Sequence, residues 1–338
     1  MRNHHGKLSS NKCLGAVVAL GLLALSASGA DAQYQIVVTN YGVSANGMPF
    51  AIAKEKKLFE AEGITVTDII TSAGGGTTLR NMMAANAPYA EINPAAAIGA
   101  VQQGLDLKII AENVQTVSEF TWFSKKGSKF QKPADLKGAR IGFNNPRSTS
   151  VALIGLLLEG ANLSMNDVKM VRTGGFGESL AALEIDTIDA TPMTEPLWSQ
   201  YKDKYHAIAV ASEVLPPLSN VVGVTLASID DKQKNFVRAV IRARRAAVKF
   251  MEENTAEAGD IVAKHYNIPL EVARSTVNNL IKSRTQGIPY WGTGQINYTG
   301  LDRMVKAQQS VAAIEGNVNL EAIIDTSYLP EDIRKIVR

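Results

Sequence analysis

Two hydrophobic periods take turns along the chain. Residues 34–41, YQIVVTNY, partly alternate between apolar and polar, as a half-covered strand does. Residues 48–63, MPFAIAKEKKLFEAEG, repeat at helical spacing. Ala51, Ile52, Leu58 and Phe59 fall near one face, Pro49 suits the first turn and Gly63 the stop. The β-branched run ITVTDIIT predicts a second strand and TTLRNMMAANA a helix. YAEIN is a short strand ended by Pro94, PAAAIGAVQQG a helix closed by Gly104, and LKIIAENV a further strand. Strand and helix alternating in this way predict a mainly parallel sheet with helices on both faces.

The alternation then breaks and restarts. TWFSKKG (121–127) reads as an edge or crossover strand, and KPADLKG as a loop with a helical turn. ARIGFNN is a strand, STSVALIGLLLEGA a helix, VKMVRT a strand, GESLAALEI a helix and DATPM a short strand. From Asp230 onward the pattern is almost wholly helical, most strongly in DKQKNFVRAVIRARRAAVKFMEEN. Residues 74–94 and 174–196 share one layout: glycines, Ser or Thr, an amphipathic helix, then a short strand of small residues ending in a proline loop. Ligands of open α/β sheets sit outside the carboxyl ends of the strands. Two such units, one in each α/β run, predict two lobes facing a shared cleft.

The first 32 residues differ in kind. MRNHHGKLSSNK is basic, CLGAVVALGLLAL is apolar, and SASGADAQ offers small residues at Ala30 and Ala32. This is the layout of a secretory signal with cleavage near Ala32, its apolar run being too short for a permanent bilayer span. The lone cysteine, Cys13, lies inside it behind Lys12, where a lipoprotein signal would want a small residue. The remaining chain carries no cysteine, which excludes disulfides, thiolate catalysis and cysteine metal sites. Removing three basic residues (Arg2, Lys7, Lys12) and Asp31 takes the formal charge from +3 to +1. That near balance argues against nucleic acid as a partner. With His206 and His265 the only histidines left, zinc or iron centres built on histidine are not expected. No metal and no cofactor is anticipated.

Five stretches carry candidate chemistry. Gly74, Gly75 and Gly76 stand between a strand and a helix, followed by Thr77 and Thr78. They match neither GxxxxGK[ST] nor GxGxxG. They form either a plain flexible loop or a substrate loop, in which backbone approaches a ligand at the positive end of a helix. NNPRSTS (144–150) also joins a strand to a helix start. Asn144, Arg147, Ser148 and Thr149 there could bind an anion, or Ser148 or Thr149 could simply cap the helix with Arg147 in solvent. TGGFGES (173–179) offers Phe176 for stacking. EINPAA (91–96) and TPMTEPLW (191–198) place Asn93, Thr194, Glu195 and Trp198 after short strands, with core packing the simpler role for Trp198. No nucleophile constellation is present: GxSxG is absent, and Ser179 of GFGES lies inside its helix. His206 reads as structural. Lys232, Lys234, Arg238, Arg242, Arg244, Arg245 and Lys249 crowd one helix, as a solvated face or as a contact with a membrane partner.

PFAIAKEKKLFEAEGITV resembles the early helix and strand of periplasmic substrate-binding proteins for sulfonates, taurine, nitrate and the thiamine pyrimidine precursor. PADLKGARIGF is similar to that family's DLKGKKIGV element, and GGFGESLAALEIDTIDATPMTEP to its helix, GxxDA turn and proline-containing pocket loop. The resemblance spans roughly residues 34 to 330. Lys57 stands where the family usually has glycine, and NAPYAEIN replaces its acidic GxxD turn. The resemblance implies an α/β, two-lobed type II periplasmic binding protein fold, each lobe a mainly parallel sheet flanked by helices. It also implies a non-enzymatic role in delivering a solute to an ABC permease in the inner membrane. The expected division is 1–32 signal peptide, 33–118 plus 226–338 first lobe, and 119–225 second lobe, with a hinge of two crossing segments near 116–122 and 218–226. The expected solute is a small organic anion, a sulfonate or carboxylate, with Tyr41, Trp122, Phe123 and Phe176 flanking its apolar body. The expected binding set is Tyr41, Ser44, Gly75, Gly76, Thr77, Asn93, Trp122, Asn144, Arg147, Ser148, Thr149, Gly175, Phe176, Thr194 and Glu195. A periplasmic monomer is anticipated. The alternatives are a pyrimidine-precursor synthase, disfavoured by the missing cysteine-rich motif, and a ligand-sensing partner of a membrane receptor.

Overall fold

The computed structural model describes residues 32–338, so the expected signal segment lies outside it except for Ala32, the first residue of β1. Thirteen strands follow in chain order: β1 (32–39), β2 (64–72), β3 (90–92), β4 (107–114), β5 (120–125), β6 (140–143), β7 (169–172), β8 (190–194), β9 (205–210), β10 (221–226), β11 (284–285), β12 (288–289) and β13 (291–294). Six build a first sheet in the order β13-β4-β10-β3-β1-β2, and five a second in the order β7-β6-β8-β5-β9. Helices flank both, which is the expected α/β, two-sheet architecture. In the first sheet β1, β2, β3 and β4 share one direction, while β10 and β13 run against them. In the second only β5 opposes its neighbours.

The chain passes between the sheets twice, at 115–119 and at 211–220. The returning strand β10 inserts between β3 and β4, so the expected boundary at 225/226 falls within a strand that pairs wholly in the first sheet. Asn220 fastens the two passages: its N–H donates to Val114 O (2.9 Å) and its side-chain amide to Glu119 Oε1 (2.5 Å).

Three expectations change. β5 is an interior strand between β8 and β9, not an edge. Both its faces are covered, so the apolar run FTWF shows no alternation from which pairing could be read. The C-terminal part is not all helical: β13, in the glycine-rich WGTG, pairs with the edge of β4. Nor does the helix Asp231–Glu253 carry a simple solvated face. Arg244 is fully buried, donating from Nε to Glu91 Oε1 (2.7 Å), from Nη1 to Gly292 O (2.9 Å) and from Nη2 to Asn113 O (2.8 Å). Arg242 pairs with Glu62, and Arg245 with Asp332. Among the described residues no helix is long and apolar enough to cross a membrane.

One core lies around each sheet, the first including Phe50, Ile92 and Phe236, the second Trp122, Phe123 and Leu158. Met304, on the helix Tyr298–Ser310, packs into the second core although its helix follows the strands of the first sheet. Arg244 ties its helix to β3, β4 and β13 at once, and removing one member of a buried pair strands the other. Arg244→Ala is therefore expected to lower stability by about 3–5 kcal/mol, read from the urea midpoint. Adding Glu91→Gln is expected to restore part of that loss.

Candidate functional site

Between the carboxyl ends of the two sets of strands lies a cleft of ≈ 1190 Å³. Its walls are helix starts. The helix Gly75–Ala84 begins within the glycine run, earlier than the threonines suggested. Gly74 sits at φ +90°, a conformation that a side chain would strain. Gly75 lies so close to Ala96 that a Cβ there would overlap the alanine methyl. These two glycines thus let the helix start press against the helix Pro94–Gln102, which excludes the plain-loop reading.

Opposite stand the starts of the helices Thr149–Gly160 and Phe176–Glu184. None of the helix starts at Gly75, Thr149 and Phe176 has a side-chain cap. Ser148 occupies the N-cap position, yet its hydroxyl bonds to the Ser150 hydroxyl (2.6 Å) instead of a backbone N–H. Among the described residues, the N–H groups of Gly75, Gly76, Thr149, Ser150, Phe176 and Gly177 donate to no protein acceptor. Unused N–H groups at three helix starts make a positive surface for an anion. A fourth start is satisfied: Asn93 Oδ1 accepts from Ala96 N (2.8 Å), while its amide reaches across to Arg147 O (3.2 Å).

Of the expected binding set, Ser44, Gly75, Gly76, Thr77, Asn93, Asn144, Arg147, Ser148, Thr149, Gly175, Phe176 and Thr194 line the cleft. Ser44 Oγ and Asn144 Oδ1 are buried polar atoms without a protein partner. Tyr41, Trp122 and Glu195 do not line it. Tyr41 packs edge-on against Tyr266. Trp122 is 1% exposed in the second core, beside Phe123, which stacks on Tyr205 at 5.0 Å. These aromatics sit in an interior strand, and interior packing takes them from the ligand. Glu195 is turned inward, accepting from Ser199 N (3.0 Å) and Ser199 Oγ (2.8 Å) at the start of a short helix.

Sequence reasoning missed Arg80, Arg172, Glu119 and Phe120, all of which line the cleft. Arg80 and Arg172 stand outside any recognisable motif. A phase count would have found Arg80, four residues beyond Gly76 on the same helix face. Arg80 Nη2 donates to Thr77 Oγ1 (2.9 Å), and Arg172 Nη2 to Asn145 Oδ1 (2.9 Å). The Arg147 guanidinium spans the cleft to lie over Gly99. Three arginines against one exposed carboxylate, Glu178, leave the cleft positive. The remaining acid, Glu119, is 2% exposed, and burial pushes it up to about 8.

No curated protein sequence matches the chain. Solved structures share its fold. The periplasmic aliphatic sulphonate binding protein SsuA from Escherichia coli superposes with TM-score 0.71 at 15% identity, covering 86% of this chain and 91% of that one. The alkanesulfonate-binding protein SsuA from Xanthomonas axonopodis pv. citri, bound to MOPS, gives 0.71 at 18% identity over 87% and 98%. The periplasmic nitrate-binding protein NrtA from Synechocystis PCC 6803 gives 0.72 at 13% identity over 88% and 87%. Two sheets with a cleft between their strand ends define a protein of the periplasmic binding protein fold. The NMT1/THI5-like family profile matches residues 44–258, and the chain belongs to that family.

Two tests follow from this geometry. Gly75→Ala forces a methyl onto Ala96 and is expected to cost about 1–3 kcal/mol, as overpacking does. Ala96→Gly in the same chain is expected to relieve most of the cost, measured as a double-mutant cycle of unfolding free energies.

The second concerns pH. Burial pushes Glu112 and Glu119 each up to about 8, from an ordinary 4.5, with no cation paired to either. Between these values the folded protein holds protons that the unfolded chain has released. Their contribution to stability is complete below pH 4.5 and is lost as pH rises through 8. The lowered carboxyls Asp167, Asp189, Asp260 and Asp332 titrate below this window. The melting temperature is therefore expected to fall from pH 5.5 to pH 8.5. Glu112→Gln combined with Glu119→Gln should flatten that fall.

Proposed function

We propose that the protein is the solute-binding component of an ABC importer. In this reading it captures a small organic anion, a sulfonate or carboxylate, between its two lobes and delivers it to an inner-membrane permease. The observation that carries the reading is the convergence of three uncapped helix starts and three arginines on one cleft. The names of the similar structures, which bind sulfonates and nitrate, support it. Among the described residues, no histidine, lysine or cysteine lines the cleft. A periplasmic location follows from the same reading together with the signal-like first 32 residues. The lobes take the two sheets as their centres, and the passages 115–119 and 211–220 serve as the hinge. Asn93 Nδ2 to Arg147 O and Ala45 N to Glu195 O (3.0 Å) join the two lobes across the cleft.

A thermal-shift screen of sulfonates, carboxylates and nitrate tests the reading. A true ligand at about 100 times its Kd adds roughly 2.7 kcal/mol of stability. Arg147→Ala is expected to weaken that ligand about 10- to 150-fold, since hydrogen bonds to charged groups are worth about 1.5–3 kcal/mol. A screen with no shift for any anion would sink the proposal.

A further inference from the structure

Gly99 stands inside the helix Pro94–Gln102, where glycine is a poor helix former beside alanine. It is not among the glycines of positive φ, so no left-handed turn calls for it. It is buried, yet it does not line the cleft. What covers it comes from across the cleft. A Cβ built at Gly99 would stand 3.3 Å from Arg147 Nη1, 3.6 Å from Cζ and 3.9 Å from Cδ, and these are the three atoms nearest to it. The arginine therefore lies along the helix with both stem and head. It does so at the one residue without a side chain on the face that Ala96, Gly99 and Gln103 share.

Arg147 is held a second time through its backbone. Asn93, the N-cap of the same helix, donates from its side-chain amide to Arg147 O (3.2 Å) while its Oδ1 accepts from Ala96 N. Asn93 and Gly99 are six residues apart, about 9 Å along the helix axis. Backbone and guanidinium of one arginine are thus gripped at two separate points of one helix. Nearby, Asn145 Nδ2 stands 3.7 Å from where a Cβ on Gly74 would be. The loop that joins β6 to the helix Thr149–Gly160 meets the opposite wall at Asn93, Gly99 and Gly74, and none of these contacts is an ion pair.

Resting on the reading above, in which two lobes take up a solute between them, we propose that Gly99 is a positioning residue. It is the seat on which Arg147 latches the 144–150 loop of the second lobe to the first. The balance between closed and open lobes is then set by the shape of one helix as well as by the solute. Two features favour this role. The atoms that come nearest to Gly99 belong to the other lobe, so the bare position serves the partner wall and not the packing of its own helix. Arg147 also lines the cleft, so the side chain that grips the helix bounds the space of the solute.

The test is small-angle X-ray scattering with no solute added, on the wild type, Gly99→Leu, Gly99→Ala, Arg147→Ala and the double variant Gly99→Leu with Arg147→Ala. Gly99→Leu puts a side chain where the arginine lies and is expected to shift the closed-to-open ratio about 5- to 150-fold, the range of an overpacked contact, with a larger radius of gyration. Gly99→Ala should shift it less, since the arginine clears a methyl by a few tenths of an ångström. Arg147→Ala should widen the molecule as well, and adding Gly99→Leu to it should change the radius no further. Leucine and alanine are the better helix formers, so the urea midpoint of the double variant should not fall below that of Arg147→Ala. A radius for Gly99→Leu equal to the wild type overturns the proposal. So does a Gly99→Leu effect on radius or urea midpoint that persists undiminished without the arginine, since Gly99 would then serve its own lobe. These outcomes are read without a ligand, so they stand apart from the anion screen: a screen with no shift sinks the transport reading, and scattering alone then decides whether Gly99 seats the latch.

Discussion

The hydrogen bond from Asn220 to Glu119 joins the two passages of the chain between the sheets, and the cleft depends on that junction. Asn220 also extends β10 by bonding to Val114 at the end of β4. Glu119 in turn accepts from Glu195 N through its carbonyl (2.9 Å), at the end of β8. The carboxyl ends of both sheets are thereby fixed around a common space. A charge at this junction would face burial with no cation beside it. Its neighbour Glu195 is raised by burial as well, so the junction holds its acids nearer neutral.

The cleft contrasts with the interior behind it. In the interior Arg244 is paired: it bonds to Glu91, to Gly292 and to Asn113, and so locks a helix onto three strands. In the cleft, backbone donors are left without partners at three helix starts, and Ser44 and Asn144 each present an unpartnered oxygen. Unsatisfied groups of this kind are expensive when buried without water or ligand. The free backbone donors of three helix starts and the oxygens of Ser44 and Asn144 face one concavity. The two glycines at 74 and 75 serve the same end: one permits the turn, the other the close approach to Ala96.

Lys57 illustrates how a departure from a family pattern can be absorbed. It takes the left-handed conformation (φ +55°) just after the helix Met48–Glu55, where glycine is at ease. A lysine there costs roughly 1–2 kcal/mol, an amount that a large core can offset without changing the turn.

The sequence by itself determined the alternation of strands and helices, the placement of the glycine loop and NNPRSTS at helix starts, and the two-lobed class. Each rests on a local signal: hydrophobic period, backbone freedom or the polar residues that begin a helix. Tertiary structure decided what period cannot encode. Trp122 and Glu195 stand in pocket-like contexts in the sequence, yet pairing of β5 between β8 and β9 buries the first, and Ser199 turns the second inward. Arg244 lies among six other cations on one helix, and only the position of Glu91 on a distant strand selects it for burial. Arg80 and Met83 read as ordinary helix surface until the second lobe encloses the space in front of them. A side chain's neighbours across the chain, and so its solvent, are settled by packing, because burial is a property of the assembled elements and not of any one of them.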